Sequence, residues 1–172
     1  MPKAPFLCYN YLGDNMNFKN IIEEFIKKNY TISFMESCTG GGVSNSLTNC
    51  ERASEIFKFG AVTYSNEYKI KMGVDPEIIS KYSVYSMECA DSMSRSISKY
   101  TNSTYGVSIT GKLKREDINN KSGEDDIVYI SIYNSLNDSY KNDTIKCIYD
   151  TREENKKIVI NKIIELIEDL MI

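Results

Sequence analysis

Tyr30-Thr-Ile-Ser-Phe-Met35 runs directly into Glu36-Ser-Cys-Thr-Gly-Gly-Gly42, and Val43 and Leu47 follow at helical spacing. The first six residues are compact and β-prone, which reads as a strand. The next seven hold three of the chain's nine glycines, the composition of a tight turn. A strand that hands over to a helix through glycines is the repeating unit of an α/β domain.

The pattern extends both ways from there. Upstream, Phe18, Ile21, Ile22, Phe25 and Ile26 mark one buried face of a helix that Asn17 can cap. Downstream, Phe59-Gly-Ala-Val-Thr-Tyr64 reads as a second strand, and Asp75-Pro76 as a helix start. Ser86 is expected to cap a longer helix with Ala90, Met93, Ile97 and Tyr100 inward. Thr104–Ile109 reads as a third strand. Ile127–Tyr133 and Asp143–Tyr149 read as a hairpin joined by polar residues around Asn137-Asp138. Thr151-Arg-Glu-Glu154 has the form of a capping box and opens a last helix with Val159, Ile163, Leu166, Ile167 and Leu170 inward. Strands alternating with helices, closed by a hairpin, predict a three-layer α/β/α sandwich. Its sheet should be mixed and mostly parallel, with about five to six strands. Residues 1–16 carry no period and read as an N-terminal arm, leaving 17–172 as a single domain.

Composition narrows the chemistry. The 172 residues carry 21 basic and 24 acidic side chains and no histidine. Without imidazole there is no Ser-His-Asp triad, Cys-His pair or His-ligated metal. The net charge of −3 and the lack of a basic stretch argue against nucleic acid as a partner. Five scattered cysteines with no C-x-x-C pair suggest free thiols in a reducing compartment. With no secretory-type start and no run of about 18 apolar residues, a cytoplasmic location without membrane contact is expected.

Two segments at strand ends can carry chemistry. In an α/β sheet, sites gather at the carboxyl ends of strands. The turn Glu36–Gly42 lets backbone N–H groups approach an oxyanion, aided by a helix N-terminus; alternatively it only packs that helix closely. It is not a Walker loop, because the Lys-[Ser/Thr] pair is missing. The segment Thr63–Lys69 brings hydroxyl, amide and ammonium groups together, or is simply a polar corner. A hydrolase without histidine needs another base, and a lysine with a lowered pKa can serve. Ser37, Tyr64 and Lys69 then supply a nucleophile, a hydroxyl relay and a base, although sequence spacing does not show that they meet.

Glu36-Ser-Cys-Thr-Gly-Gly and Val62-Thr-Tyr-Ser-Asn-Glu67 resemble the two signature motifs of the nicotinamide-nucleotide amidase family, the C-terminal domain of competence/damage-inducible protein CinA and its stand-alone PncC-type relatives. Ala53-Ser54 with Phe57, Tyr82–Ala90 and Gly106–Gly111 resemble further family segments. The resemblance implies a mixed-sheet α/β/α fold, no cofactor and no metal, and frequent dimers, so a homo-oligomer is expected. The implied reaction is hydrolysis of the carboxamide of nicotinamide mononucleotide to nicotinate mononucleotide and ammonia. By position, Ser37 is the nucleophile, Tyr64 its hydrogen-bonded partner and Lys69 the general base. Cys38, Thr39, Gly40 and Gly41 would hold the oxyanion, with Asn66, Thr110 and Gly111 completing the substrate-binding set.

The third family loop departs. Where relatives continue with glycines, this chain reads Gly111-Lys-Leu-Lys-Arg-Glu-Asp-Ile-Asn-Asn-Lys-Ser-Gly123. Lys112, Lys114 and Arg115 are therefore candidates for holding a 5′-phosphate through charge-assisted bonds, against the alternative of a solvated charged loop. The change also keeps open a non-catalytic nucleotide- or partner-binding module of the same fold, and a Ser-Lys amidase for a different amide. Ser96-Ile-Ser-Lys99 fits S-x-x-K but lies mid-helix without its companion motifs. Cys38 reads as a packing residue beside Ser37, and the acidic clusters at Glu116-Asp117 and Glu124–Asp126 as solvated carboxylates.

Overall fold

A computed structural model describes residues 17–171; the arm expected over residues 1–16 lies outside them. The chain order is α1 (Phe18–Lys28), β1 (Ile32–Glu36), α2 (Gly42–Thr48), α3 (Ala53–Ile56), β2 (Phe57–Val62), α4 (Asn66–Lys71), α5 (Pro76–Tyr82), α6 (Met87–Thr101), β3 (Tyr105–Gly111), β4 (Ile127–Asn134), β5 (Ser139–Lys146) and α7 (Arg152–Glu168). The five strands form one sheet in the order β2-β1-β3-β4-β5. β1 pairs parallel with β2 and β3, while β3–β4 and β4–β5 are antiparallel. The sheet is thus parallel around β1 and antiparallel beyond β3, a mixed sheet between helices as the pattern predicted.

Strand alternation divides the sheet into two unlike faces. Ile32, Phe34, Tyr105, Val107, Ile109, Val128, Ile130 and Ile132 pack with Phe18, Ile21, Ile22 and Phe25 of α1 and Val159, Ile163 and Ile167 of α7 in the larger core. The opposite face is built from small or hydroxylated residues: Ser33, Gly106, Ser108 and Ser131. Ser33 Oγ donates to Thr101, Ser108 Oγ donates to Ala90 O, and Ser131 Oγ donates to Asp91. A Cβ on Gly106 would stand 2.0 Å from Ser94 O, so α6 lies almost on the backbone of β3. Met35 then meets Cys89, Met93 and Ile97 of α6 in a second, smaller core.

The predicted caps are present. Asn17, Asp75 and Ser86 accept from backbone N–H groups of Lys19, Glu77 and Cys89. Thr151 caps α7 by accepting from Glu154 N, but its own hydroxyl donates to the Glu154 carboxylate, in place of the reciprocal backbone bond of a capping box.

Three local expectations shift, and one short helix is added. β2 starts at Phe57 and stops at Val62, so Thr63 and Tyr64 belong to the turn after it. The short helix α3 precedes it directly, between segments too brief to show a period. β5 spans Ser139–Lys146 because the chain reverses at Asp138, which adopts a left-handed φ of 51°; Cys147–Asp150 has left the sheet. Tyr100 is exposed, its ring stacked on Phe59 at 5.8 Å, and is not part of the inward face of α6.

Candidate active site

Ser37 is the first residue past β1. Its N–H donates to Ile109 O of β3 at 3.0 Å, and Thr63 N donates to Glu36 O at 2.8 Å. The neighbouring strands therefore clamp the backbone at the point where Ser37 leaves the sheet. The following turn closes through Gly40 N to Ser37 O and Gly42 N to Thr39 O. Gly40 (φ 62°) and Gly41 (φ 92°) are both left-handed, which accounts for two adjacent glycines.

The turn is organised by Glu36, a residue that sequence reading left without a role. Its carboxylate is fully buried. One oxygen accepts from Thr39 Oγ1 (2.7 Å), Gly41 N (3.0 Å) and Val43 N (3.1 Å), and the other from Ser44 N (2.8 Å) and Ser44 Oγ (2.7 Å). The N-cap of α2, Gly41, offers no side chain. Glu36 takes over that office from five residues upstream, placing a negative charge at the positive end of the helix.

That arrangement corrects the expected oxyanion set. Gly40 N and Gly41 N bond within the turn, and the N-terminus of α2 faces Glu36 instead of the cavity. Thr39 Oγ1 is bonded to the same carboxylate. The donors left in this turn without a partner among the described residues are the N–H groups of Cys38 and Thr39. The Cys38 side chain points into the larger core, where burial pushes its thiol up to about 12. Its thiol is thus held in the neutral form, packed in the core.

Lys69 lies on α4, which Ser65 caps by accepting from Tyr68 N. Only 2% of Lys69 is exposed. Its Nζ donates to Thr63 O at 2.7 Å and stands 3.1 Å from Ser37 Oγ. No ion pair with a carboxylate holds it among the described residues. Burial lowers its pKa, against the opposing influence of Cys89, Cys38 and Asp117. Once deprotonated, the amine keeps an N–H on the Thr63 carbonyl and turns its lone pair to Ser37, 3.1 Å being hydrogen-bond distance. The structure thus brings Ser37 and Lys69 together from residues 32 apart.

Tyr64 does not complete a relay here. It is 65% exposed, and its hydroxyl accepts from Arg152 Nη2 at 3.3 Å. Its place is the wall of a cavity of about 640 Å³, an ordinary size for a small-molecule site. Ser37, Cys38, Asn66, Gly111, Arg115 and Arg152 line the same cavity. Asn66 Nδ2 donates to Asn120 Oδ1 at 2.9 Å, tying α4 to the loop after β3. Thr110 faces away from the cavity: fully buried, its Oγ1 donates to Val84 O at 2.7 Å.

The three cations of the divergent loop are not equivalent. Lys112 is 3% exposed, and its Nζ donates to Asp125 (2.8 Å) and Gly123 O (3.2 Å), so it staples the loop to itself. Lys114 is engaged with Asp150 and Ile148 O, outside the cavity. Arg115 does line the cavity, with Nη2 on Asp150 O. The second cavity arginine, Arg152, donates from Nη1 to Lys112 O at 3.1 Å and was missed as part of a helix cap. A cation in the first turn of α7 opposes the helix dipole, a signal that its position serves something else. No group of three or more cysteine, aspartate or glutamate side chains among the described residues is placed to hold a metal ion. No helix among them is long and apolar enough to cross a membrane.

A buried Ser-Lys pair at the carboxyl ends of parallel strands, set in an α/β/α sandwich, defines the class of domain. The family model described as the CinA C-terminal domain matches residues 15–171, and the chain belongs to that family. It is 39% identical over 103 residues to a CinA-like protein of Fervidobacterium nodosum. It is 43% identical over 103 residues to a relative in Alkaliphilus oremlandii that carries the competence-damage inducible name. Each alignment covers 59% of this chain and 25% of the relative, so the chain spans about a quarter of their length. Among solved structures, the competence/damage inducible protein CihA of Agrobacterium tumefaciens shares the fold at a TM-score of 0.79 and 23% identity, covering 88% of this chain and 92% of that one. A CinA superfamily protein of Enterobacter cloacae does so at 0.80 and 21%, covering 94% and 97%.

Proposed function

We propose that the domain is an amidohydrolase that releases ammonia from nicotinamide mononucleotide by a Ser37–Lys69 mechanism. The observation that carries this reading is the buried Lys69 Nζ, 3.1 Å from Ser37 Oγ at the floor of an open cavity. Lys69 removes the Ser37 proton as Oγ attacks the carboxamide carbon. The negative charge then developing on oxygen meets the N–H groups of Cys38 and Thr39, held in place by Glu36. Removing one such donor typically costs about 3 kcal/mol of barrier. Collapse of the intermediate breaks the C–N bond, and protonated Lys69 returns its proton to the leaving nitrogen, which departs as ammonia. Water, deprotonated by Lys69, then attacks the acyl carbon, the bond to Ser37 Oγ breaks, and Lys69 returns the proton to Oγ, leaving the carboxylate product and the free serine.

Arg115 and Arg152 are the cavity groups suited to a 5′-phosphate. Among the described residues their guanidinium groups bond to the neutral oxygens of Asp150, Lys112 and Tyr64 and to no carboxylate. Tyr64 then orients Arg152 and offers a ring face to the substrate. The test is an ammonia-release assay with nicotinamide mononucleotide beside a Ser37→Ala control. Turnover abolished by the substitution supports the reading. Wild-type turnover equal to that of the control refutes it, and tight nucleotide binding without turnover would identify a binding module.

A further inference from the structure

The loop between β3 and β4 brings to the cavity a carboxylate that makes no ion pair among the described residues, although Lys69 feels its charge. Asp117 accepts from the Tyr85 hydroxyl, from Asn120 Nδ2 at 3.0 Å and from Asn119 N at 2.9 Å, all neutral donors. Among the described residues no lysine or arginine pairs with it, whereas Glu67 pairs with Lys71 and Asp125 with Lys112. Partial burial pushes its carboxyl up, but the bonds from Tyr85, Asn120 and Asn119 outweigh this and hold it below the ordinary aspartate value. It is therefore ionised at neutral pH.

Its position is fixed. Asn120 bonds to Asn66 at the start of α4, Ser122 Oγ donates to Ser83 Oγ at 2.8 Å, and Lys112 staples Gly123 and Asp125. Outside any ion pair among the described residues, the cavity thus presents two carboxylates, Glu116 and Asp117, and two guanidinium groups, Arg115 and Arg152. Of these two carboxylates it is Asp117 that hydrogen bonds hold in place. A purely anionic substrate would be repelled by Asp117, and a neutral amide would gain nothing from it. A zwitterion satisfies both signs, and desolvation inside a cavity strengthens each match.

We infer that Asp117 is a specificity-determining residue that selects an amide borne on a cationic ring, such as the pyridinium of an N-ribosylated nicotinamide, over the same ring in a neutral state. This rests on the proposed function, whose substrate carries both a phosphate and a pyridinium. The carboxylate comes from the segment in which the chain departs from the glycine-rich loop it otherwise resembles.

The test is calorimetric and uses the Ser37→Ala protein, so that ligand is bound and not consumed. The probes are nicotinamide mononucleotide and its reduced dihydropyridine form, which have the same phosphate but differ in ring charge. The oxidised form should bind about tenfold tighter than the reduced one, the scale expected of one unit charge facing another across a partly solvated site. Adding Asp117→Asn should bring the ratio close to one by weakening the oxidised form alone, and Asp117→Glu should preserve the preference. Thermal melting of each variant checks that the loop substitution leaves the fold intact. Equal affinities for the two probes, or a ratio unchanged by Asp117→Asn, would overturn the inference while leaving the amidase reading standing. Binding of neither probe would sink both.

Discussion

Replacing Glu36 with glutamine changes one buried atom and should disturb both the fold and the reaction. The carboxylate accepts five hydrogen bonds, three on one oxygen and two on the other. In Glu36→Gln the amide oxygen can retain the three bonds to Thr39, Gly41 and Val43, now without the assistance of charge. The amide nitrogen must then face Ser44. The Ser44 hydroxyl can rotate and accept, but the Ser44 N–H, 2.8 Å away, meets another donor. A buried donor without a partner costs about 1–3 kcal/mol, and three bonds changed from charged to neutral acceptors lose about 1 kcal/mol each. Relief from burying a charge offsets part of this, because desolvating a carboxylate costs several kcal/mol. A net loss of about 2–4 kcal/mol is the expected outcome in urea unfolding at neutral pH. The turn that presents Ser37 and the N–H groups of Cys38 and Thr39 would also shift, and small misplacements of reacting groups cost on the order of 100-fold in rate. Ser44→Ala and the double variant complete a thermodynamic cycle that isolates the Glu36–Ser44 coupling. An unchanged urea midpoint and an unchanged kcat in Glu36→Gln would refute the claim that Glu36 organises the turn.

Two further outcomes follow from the placement of charge. Burial lowers the Lys69 pKa, so the rate of ammonia release should rise with pH as Lys69 loses its proton, with an inflection below the ordinary lysine value. In the window between the folded and unfolded pKa values the unfolded chain holds more protons, so stability should also rise with pH there. Lys69→Met should abolish turnover and flatten this contribution to the stability profile, without loss of stability at neutral pH, because an unpaired buried ammonium is removed; a destabilised Lys69→Met protein would contradict this. Arg152→Lys keeps the charge but cannot bond Lys112 O and Tyr64 Oη together, and should raise KM for the mononucleotide about tenfold with little change in kcat. Steady-state kinetics that show the loss in kcat alone would assign Arg152 to the chemical step.

Much of the architecture was legible because it follows from local periodicity. The faces of α1 and α7, the caps at Asn17, Asp75, Ser86 and Thr151, and the strand–glycine–helix turn each repeat a pattern within a few residues. The borders of β2 and β5 were not, since the end of a strand is set by where its neighbour stops and where the chain can reverse. The candidate site divides the same way. Ser37 and Lys69 stand out as candidates for nucleophile and base in a chain without histidine. Arg152, Tyr85 and Asp117 carry no such mark, because the cavity is assembled from a helix start, a loop and a turn far apart in the chain.

By itself, then, the amino-acid sequence determined the α/β class, the family, and the absence of imidazole that excludes histidine as a base. The tertiary structure decided which groups meet. It buried Lys69 against Ser37 without a carboxylate partner among the described residues, turned Glu36 inward to cap α2, and engaged the N–H groups of Gly40 and Gly41 within the turn. It also paired Lys112 and Lys114 with Asp125 and Asp150, whereas Arg115, which lines the cavity beside Lys112, pairs with no carboxylate among the described residues. Charge and hydrogen-bonding capacity are properties of a residue, but whether they are already satisfied depends on neighbours that only packing brings within about 3 Å.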